Sequence, residues 1–204
     1  MWKIAVPVSI AAGFVIADAY QHNFFRLSRI YEEDFPARLY IYTQHPEGIA
    51  TLDKTFKDIK EDFAPIRGKF ESIQPATIYF DDPDRLVNRQ DVRSVAGVFV
   101  PHSNKKLAED FVKVHKQYEI LDVPQLNTVK IVSPYRSMVS WYWLHRIVHS
   151  AIREYVQEHN LSKDPSELPL INISLHSKVE TYIPYGKNVE CLNISKIPKP
   201  MTRE

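Results

Sequence analysis

The sequence predicts an α+β fold: two successive strand–helix–strand–strand units that join into one mostly antiparallel sheet, with two main helices on one face. Three observations predict it. Short runs of branched and aromatic residues recur between turn signals, as strands do. Two amphipathic stretches of helical period stand among them. The order of elements repeats although no sequence repeat is visible.

Taken in order, Ile4 to Ala17 is uncharged and mostly apolar, shorter than the ~20 residues of a spanning helix. It reads as an N-terminal anchor or signal segment over residues 1–20, with Lys3 as the basic flank and Ala17-Asp18-Ala19 as an A-x-A-like cleavage site. Residues 21–37, aromatic and basic and then acidic at Glu32-Glu33-Asp34, read as a connector. Arg38 to Thr43 alternates as a strand. After a break at Gly48, Leu52, Phe56, Ile59 and Phe63 repeat at helical spacing, with Thr51 placed to cap the helix. Ala76 to Phe80 is a strand, Asp81 to Asp84 a turn, and Ser94 to Val100 a strand. Lys105 to Tyr118 is a short charged helix, Glu119 to Val123 a minor strand and Thr128 to Ser133 a strand. The longest helix is expected from Tyr135 to His159, with Trp141, Leu144, Val148, Ile152 and Tyr155 as its apolar stripe. Leu170 to Leu175 and Val179 to Ile183 close the domain, assigned to residues 38–185. Residues 186–204 form an irregular tail.

Composition removes several function classes. A single cysteine excludes a disulfide framework and a cysteine-based zinc module. Five glycines, none close enough to another to build a phosphate loop, exclude the usual nucleotide cradles. A net charge of +1 gives no reason to expect nucleic acid as a partner. No cofactor, metal site or catalytic residue is expected. His145 and His149 lie four apart, but Arg146 stands where a zincin has glutamate, so both read as rim residues of the long helix. Cys191 has no nearby histidine. What stands out is the aromatic content: 3 Trp, 11 Tyr and 10 Phe.

Strand parity says where the tyrosines go. A sheet covered by helices on one face leaves the other available. In the first strand Leu39 and Ile41 oppose Tyr40 and Tyr42. In the second, Ala76, Ile78 and Phe80 oppose Thr77 and Tyr79. In the last, Val179, Thr181 and Ile183 oppose Glu180 and Tyr182. Giving the aliphatic side to the helices collects Tyr40, Tyr42, Tyr79, Tyr182 and Glu180 on one face, an aromatic cleft with a carboxylate that could meet a cation or a polarised group. Trp143, away from the stripe of its helix, is placed either in the cleft wall or on a membrane-facing surface.

These residues resemble the GyrI-like (gyrase-inhibitor-like) effector-binding family. Ile78-Tyr79-Phe80-Asp81-Asp82-Pro83-Asp84, followed by Arg93 to Gly97, is similar to its strand-and-turn and R-x-x-V-G stretches. Ser133-Pro134-Tyr135 leads into the long helix, and Glu180-Thr181-Tyr182-Ile183-Pro184 is similar to the closing E-x-Y-x-P strand. The resemblance covers residues 38–185. It implies a domain binding a small molecule, amphipathic or cationic, with Glu180 in an aromatic pocket. It also implies, as an alternative, a hydrolase using that glutamate. With the N-terminal segment, the chain is most similar to the membrane-anchored testis-expressed ER-phagy receptor group, whose localisation would be the endoplasmic reticulum membrane. It departs from that group in lacking the acidic tail with an autophagy motif: Lys196 to Glu204 is basic and proline-rich. A protein partner, and a secreted ligand-binding protein after signal cleavage, are the remaining expectations. Sequons at Asn160, Asn172 and Asn193 are candidate glycosylation sites in that last case.

Overall fold

The structure, a computed structural model, describes residues 29–44, 51–81, 92–134 and 147–192. Its strands are β1 (Tyr31–Phe35), β2 (Arg38–Gln44), β3 (Gln74–Tyr79), β4 (Ser94–Val100), β5 (Glu119–Val123), β6 (Leu126–Pro134), β7 (Leu170–Leu175) and β8 (Lys178–Tyr185). Its helices are α1 (Leu52–Phe63), α2 (Lys105–Val114) and α3 (His149–Glu158). All eight strands form one antiparallel sheet in the order β1-β6-β8-β7-β3-β4-β2-β5. The α+β class expected from the sequence is the class observed.

The strand order explains the repeat of elements. Each unit contributes its second strand to the centre, its third strand beside that, and its first strand outermost: β7-β8-β6 on one side, β3-β4-β2 on the other. The units meet where β3 pairs antiparallel with β7, Ala76 opposite Ile173 and Ile78 opposite Ile171. One extra strand then extends each edge, β1 on β6 and β5 on β2.

One of those edges corrects a sequence expectation. Tyr31–Phe35 lies in the stretch read as a connector, yet it pairs with Lys130 to Leu126 of β6. Three consecutive acidic residues hide the alternation that marks a strand. Backbone pairing and the buried ring of Phe35 hold it, and its charged side chains suit a sheet edge. The helix expected over Lys105 to Tyr118 is also shorter, ending at Val114. Thr51 stands at the cap position of α1 without a side-chain cap bond, its carbonyl instead accepting from Thr55 Oγ1 at 3.1 Å. The remainder of the long helix expected from Tyr135, the break at Gly48 and the turn at Asp82 to Asp84 lie outside the described residues.

The sheet is buried on both faces. On one, α1 (Leu52, Ile59, Phe63), α2 (Ala108, Phe111) and α3 (Ile152, Val156) pack on Leu39, Ile41, Ile131, Val179 and Ile183. Burying each of the Leu, Ile, Val and Phe side chains among these contributes about 1.5–3 kcal/mol. The other face is an aromatic and aliphatic cluster built from Phe35, Tyr40, Tyr42, Ile78, Phe99, Ile171 and Tyr182, bordered by Val123, Leu126 and Leu192. Gly97 of β4 stands directly opposite Tyr42 of β2, where the backbones approach closely. A Cβ there would sit 2.7 Å from Tyr42 Cα and even closer to the Ile41 carbonyl oxygen, so only glycine fits.

Among the described residues no helix is long and apolar enough to cross a membrane, so the expected membrane localisation is not upheld. Residues 1–20, on which that expectation rested, lie outside the described residues, as does most of the tail, from Asn193 on.

Candidate functional site

Three of the expected tyrosines do share the face away from the helices. Their burial is deeper than a cleft wall would have. Tyr40 is 0% exposed, Tyr42 4% and Tyr182 6%, so their rings are packed inside rather than lining open space. Tyr40 stacks on Phe99 with centroids 4.5 Å apart, and Phe35 meets both Phe99 and Tyr182 edge-on at 5.2 Å.

Tyr79 is the exception, and its placement corrects the parity argument. In β3 it is Ala76 and Ile78 that join the aromatic cluster, while Tyr79 packs on the helix side, its ring 5.9 Å from that of His149. The rule that the aliphatic side faces the helices fails in a central strand because both faces are buried there, and either side chain type is accommodated on either face. Trp143 lies outside the described residues.

The hydroxyl partners divide the remaining tyrosines. Tyr40 donates from its hydroxyl to two backbone carbonyls, Ala76 at 3.0 Å and Val95 at 3.1 Å. Burial first, then the neighbouring Tyr79 and Tyr42, hold its pKa well above the ordinary phenol value. Tyr42 donates to Glu119 Oε2 at 2.9 Å, and burial together with that carboxylate raises its pKa too. The hydroxyl of Tyr40, fixed to backbone, serves the fold.

Tyr182 sits in different chemistry. Its hydroxyl donates to Glu180 Oε2 at 2.7 Å. The other oxygen, Oε1, lies 3.4 Å from Lys130 Nζ and 3.9 Å from Lys178 Nζ. Lys130 also pairs with Glu33 at 2.8 Å and lies over the Tyr182 ring, 5.1 Å from its centroid. Burial raises the pKa of Tyr182 and so does its bond to Glu180. For Lys130 burial acts downward but is outweighed by Glu33, Tyr182 and Glu180, so its pKa is raised and it is an ammonium at neutral pH. Glu180 keeps 17% of its side chain exposed, Glu33 45% and Lys178 51%, so this polar group opens to solvent at the β1–β6–β8 end of the sheet.

Sequence reasoning missed Lys130, Tyr31 and Glu33. Lys130 was legible: in T-V-K-I-V-S it alternates with Val129 and Ile131, which puts it on the face opposite the helices. Tyr31 and Glu33 were hidden by the unread strand β1.

Other expected features resolve into structural roles. Asp81 and Arg93, from the quoted strand-and-turn stretches, form a bidentate pair: Arg93 Nη2 donates to Oδ1 at 2.6 Å, Nε to Oδ2 at 2.9 Å, and the Arg93 backbone N–H to Oδ2 at 2.9 Å. That fork fastens the end of β3 to the start of β4. Asn172, one of the sequons, is 6% exposed: its amide lies 3.1 Å from His149 Nε2 and accepts from Thr181 Oγ1 at 2.8 Å, which leaves no room for a glycan. His149, expected at the helix rim, is therefore inside the core. Asn160 is exposed and ends α3 with φ 53, a left-handed stop. Asn193 lies outside the described residues. A polar depression of about 450 Å³ beside α1, lined by Lys54, Asp58, Glu61, Asp62 and Tyr118 among others, holds none of the expected residues. Among the described residues no cluster fit to hold a metal ion occurs.

No protein-family model and no curated protein sequence matches the chain. Solved structures do. The EcmrR C-terminal domain is similar over 79% of this chain and 99% of its own, at 11% identity and a TM-score of 0.52. SAV2435, solved bound to tetraphenylphosphonium, is similar over 79% and 96%, at 10% identity and 0.52. A hydrolase encoded by lin2189 from Listeria innocua is similar over 82% and 98%, at 8% identity and 0.50. At these identities the likeness is one of fold. The fold is GyrI-like, as the resemblance implied. The narrower resemblance to ER-phagy receptors finds no counterpart in these comparisons.

Proposed function

We propose that this domain binds a small amphipathic molecule at the Glu180 end of the aromatic face. The observation that carries the reading is the part-exposed carboxylate of Glu180 standing beside buried rings and held by Tyr182 and Lys130. A ligand there lays its apolar body along Tyr31 and the rim of the aromatic cluster. Its polar head exchanges hydrogen bonds with Glu180, Tyr182 and Lys130. Few polar groups beside an apolar wall are what orient a small ligand. The structural likeness to SAV2435, itself bound to a lipophilic cation, supports ligand binding as the use of this fold.

The hydrolase alternative has less behind it. A glutamate that takes a proton from water needs an unengaged oxygen toward that water. Here Oε2 accepts from Tyr182, and Oε1 faces two ammonium groups.

Titration calorimetry with para-butylphenol, an uncharged amphipath with a donating head, tests the proposal. The wild type is expected to bind it, and Glu180→Gln to bind at least about tenfold more weakly, about 1.4 kcal/mol. Equal affinity of the two proteins, or no binding of para-butylphenol to either, contradicts the reading.

A further inference from the structure

Strand register builds a cage around one side chain. Tyr31 of β1 is directly opposite Lys130 of β6, and Lys130 is directly opposite Tyr182 of β8. Residues in register on neighbouring strands share a face, as do those two positions away. Glu33, two beyond Tyr31, and Glu180, two before Tyr182, therefore join the same face. The result is a single ammonium between two rings and two carboxylates. Lys130 Nζ is 2.8 Å from Glu33 and 3.4 Å from Glu180, 5.1 Å from the Tyr182 centroid and 6.0 Å from that of Tyr31. Lys130 as a whole is 8% exposed.

Aromatic rings with nearby carboxylates are the chemistry by which proteins recognise alkylammonium ions. Here the chain's own alkylammonium fills the position. With Lys178 on the outer side of Glu180, two carboxylates already face two ammonium groups, so no net negative charge remains to attract another cation.

We infer that Lys130 is the resident cation of this cage and sets the charge class of the ligand: the site rejects cations and takes uncharged amphipaths. The ligand half of the inference rests on the binding reading above; the occupancy of the cage by Lys130 does not.

The test removes the resident. Lys130→Ala leaves a cavity the shape of a butylammonium chain beside two uncompensated carboxylates. Its melting temperature should fall, and millimolar butylammonium chloride should raise it by about 3 °C or more. Sodium chloride at equal ionic strength and butanol should not, and the wild type should not respond. Should Lys130→Ala accumulate poorly, refolding yield with butylammonium against sodium chloride reads the same effect. A second variant, Lys130→Gln, keeps most of the volume without the charge. It should bind para-butylbenzylammonium at least about tenfold more tightly than the wild type does, by calorimetry. A wild type that responds to butylammonium as strongly as Lys130→Ala, or a Lys130→Gln variant that gains no affinity for the cation, overturns the assignment. Absence of para-butylphenol binding alongside intact butylammonium rescue would sink the ligand reading and leave the resident cation standing.

Discussion

Tyr40 and Tyr182 occupy the same face of one sheet, one in each half of the repeated architecture, and both are nearly sealed from water. They differ in where the hydroxyl goes. Tyr40 spends its hydroxyl on the backbone carbonyls of Ala76 and Val95. Tyr182 gives its hydroxyl to a carboxylate that is itself shared with lysines and reaches solvent. One half of the face is therefore a closed core and the other a polar edge. Identical residues at equivalent strand parity are thus no guide to function until their partners are known. A hydroxyl fixed to backbone is committed to the fold; a hydroxyl in a charged side-chain group can exchange partners with a ligand.

This contrast can be broken first at the closed end. Tyr40→Ala empties a fully buried site and leaves two carbonyls without that donor. We expect a loss of about 3–5 kcal/mol, read by denaturant unfolding. Tyr40→Phe keeps the ring and should lose only about 1–1.5 kcal/mol. Gly97→Ala acts on the same half. Its methyl meets the backbone of Ile41 and Tyr42 rather than a side chain that could turn away, so about 1–3 kcal/mol should be lost by the same measurement.

The polar end should behave oppositely. Tyr182→Phe removes one hydrogen bond at a part-exposed carboxylate, and we expect about 0.5–1.5 kcal/mol of stability lost. Para-butylphenol should nevertheless bind more weakly to it by calorimetry, whereas Tyr40→Phe should leave binding intact.

The smallest effect below pH 9 is that of pH itself. Tyr40, Tyr42 and Tyr182 have raised pKa values in the fold, Tyr185 is pushed up to about 12 by burial and by Glu32, and Lys130 is raised by its carboxylate partners. Groups raised on folding contribute stability that is complete below their unfolded values, near about 10, and that is lost as pH rises through the folded ones. Unfolding free energy measured against pH should accordingly fall from about pH 10 upward. Phenolate absorbance should appear together with unfolding, not before it.

How far the sequence reached follows the same contrast. In R-L-Y-I-Y-T and V-E-T-Y-I the alternation marked the strand, and the aliphatic side does meet the helices while the tyrosines lie on the opposite face. Central β3 misled, because with both faces buried the aliphatic and aromatic sides exchange without penalty. Strand β1 was invisible, because an edge strand can be acidic and still pair through its backbone. That single omission hid Tyr31 and Glu33, and with them the cage in which Lys130 sits. Asp81 and Arg93 were noticed as parts of a pattern, but nothing in the sequence says that they bind each other.

The most direct measurement pairs affinity with stability in two variants. Para-butylphenol is titrated into wild type, Glu180→Gln and Tyr40→Phe, and the three are unfolded in parallel. The account predicts that Glu180→Gln loses at least about tenfold in affinity, about 1.4 kcal/mol, while Tyr40→Phe loses stability and keeps its affinity. Loss of affinity in Tyr40→Phe with Glu180→Gln unaffected would contradict it.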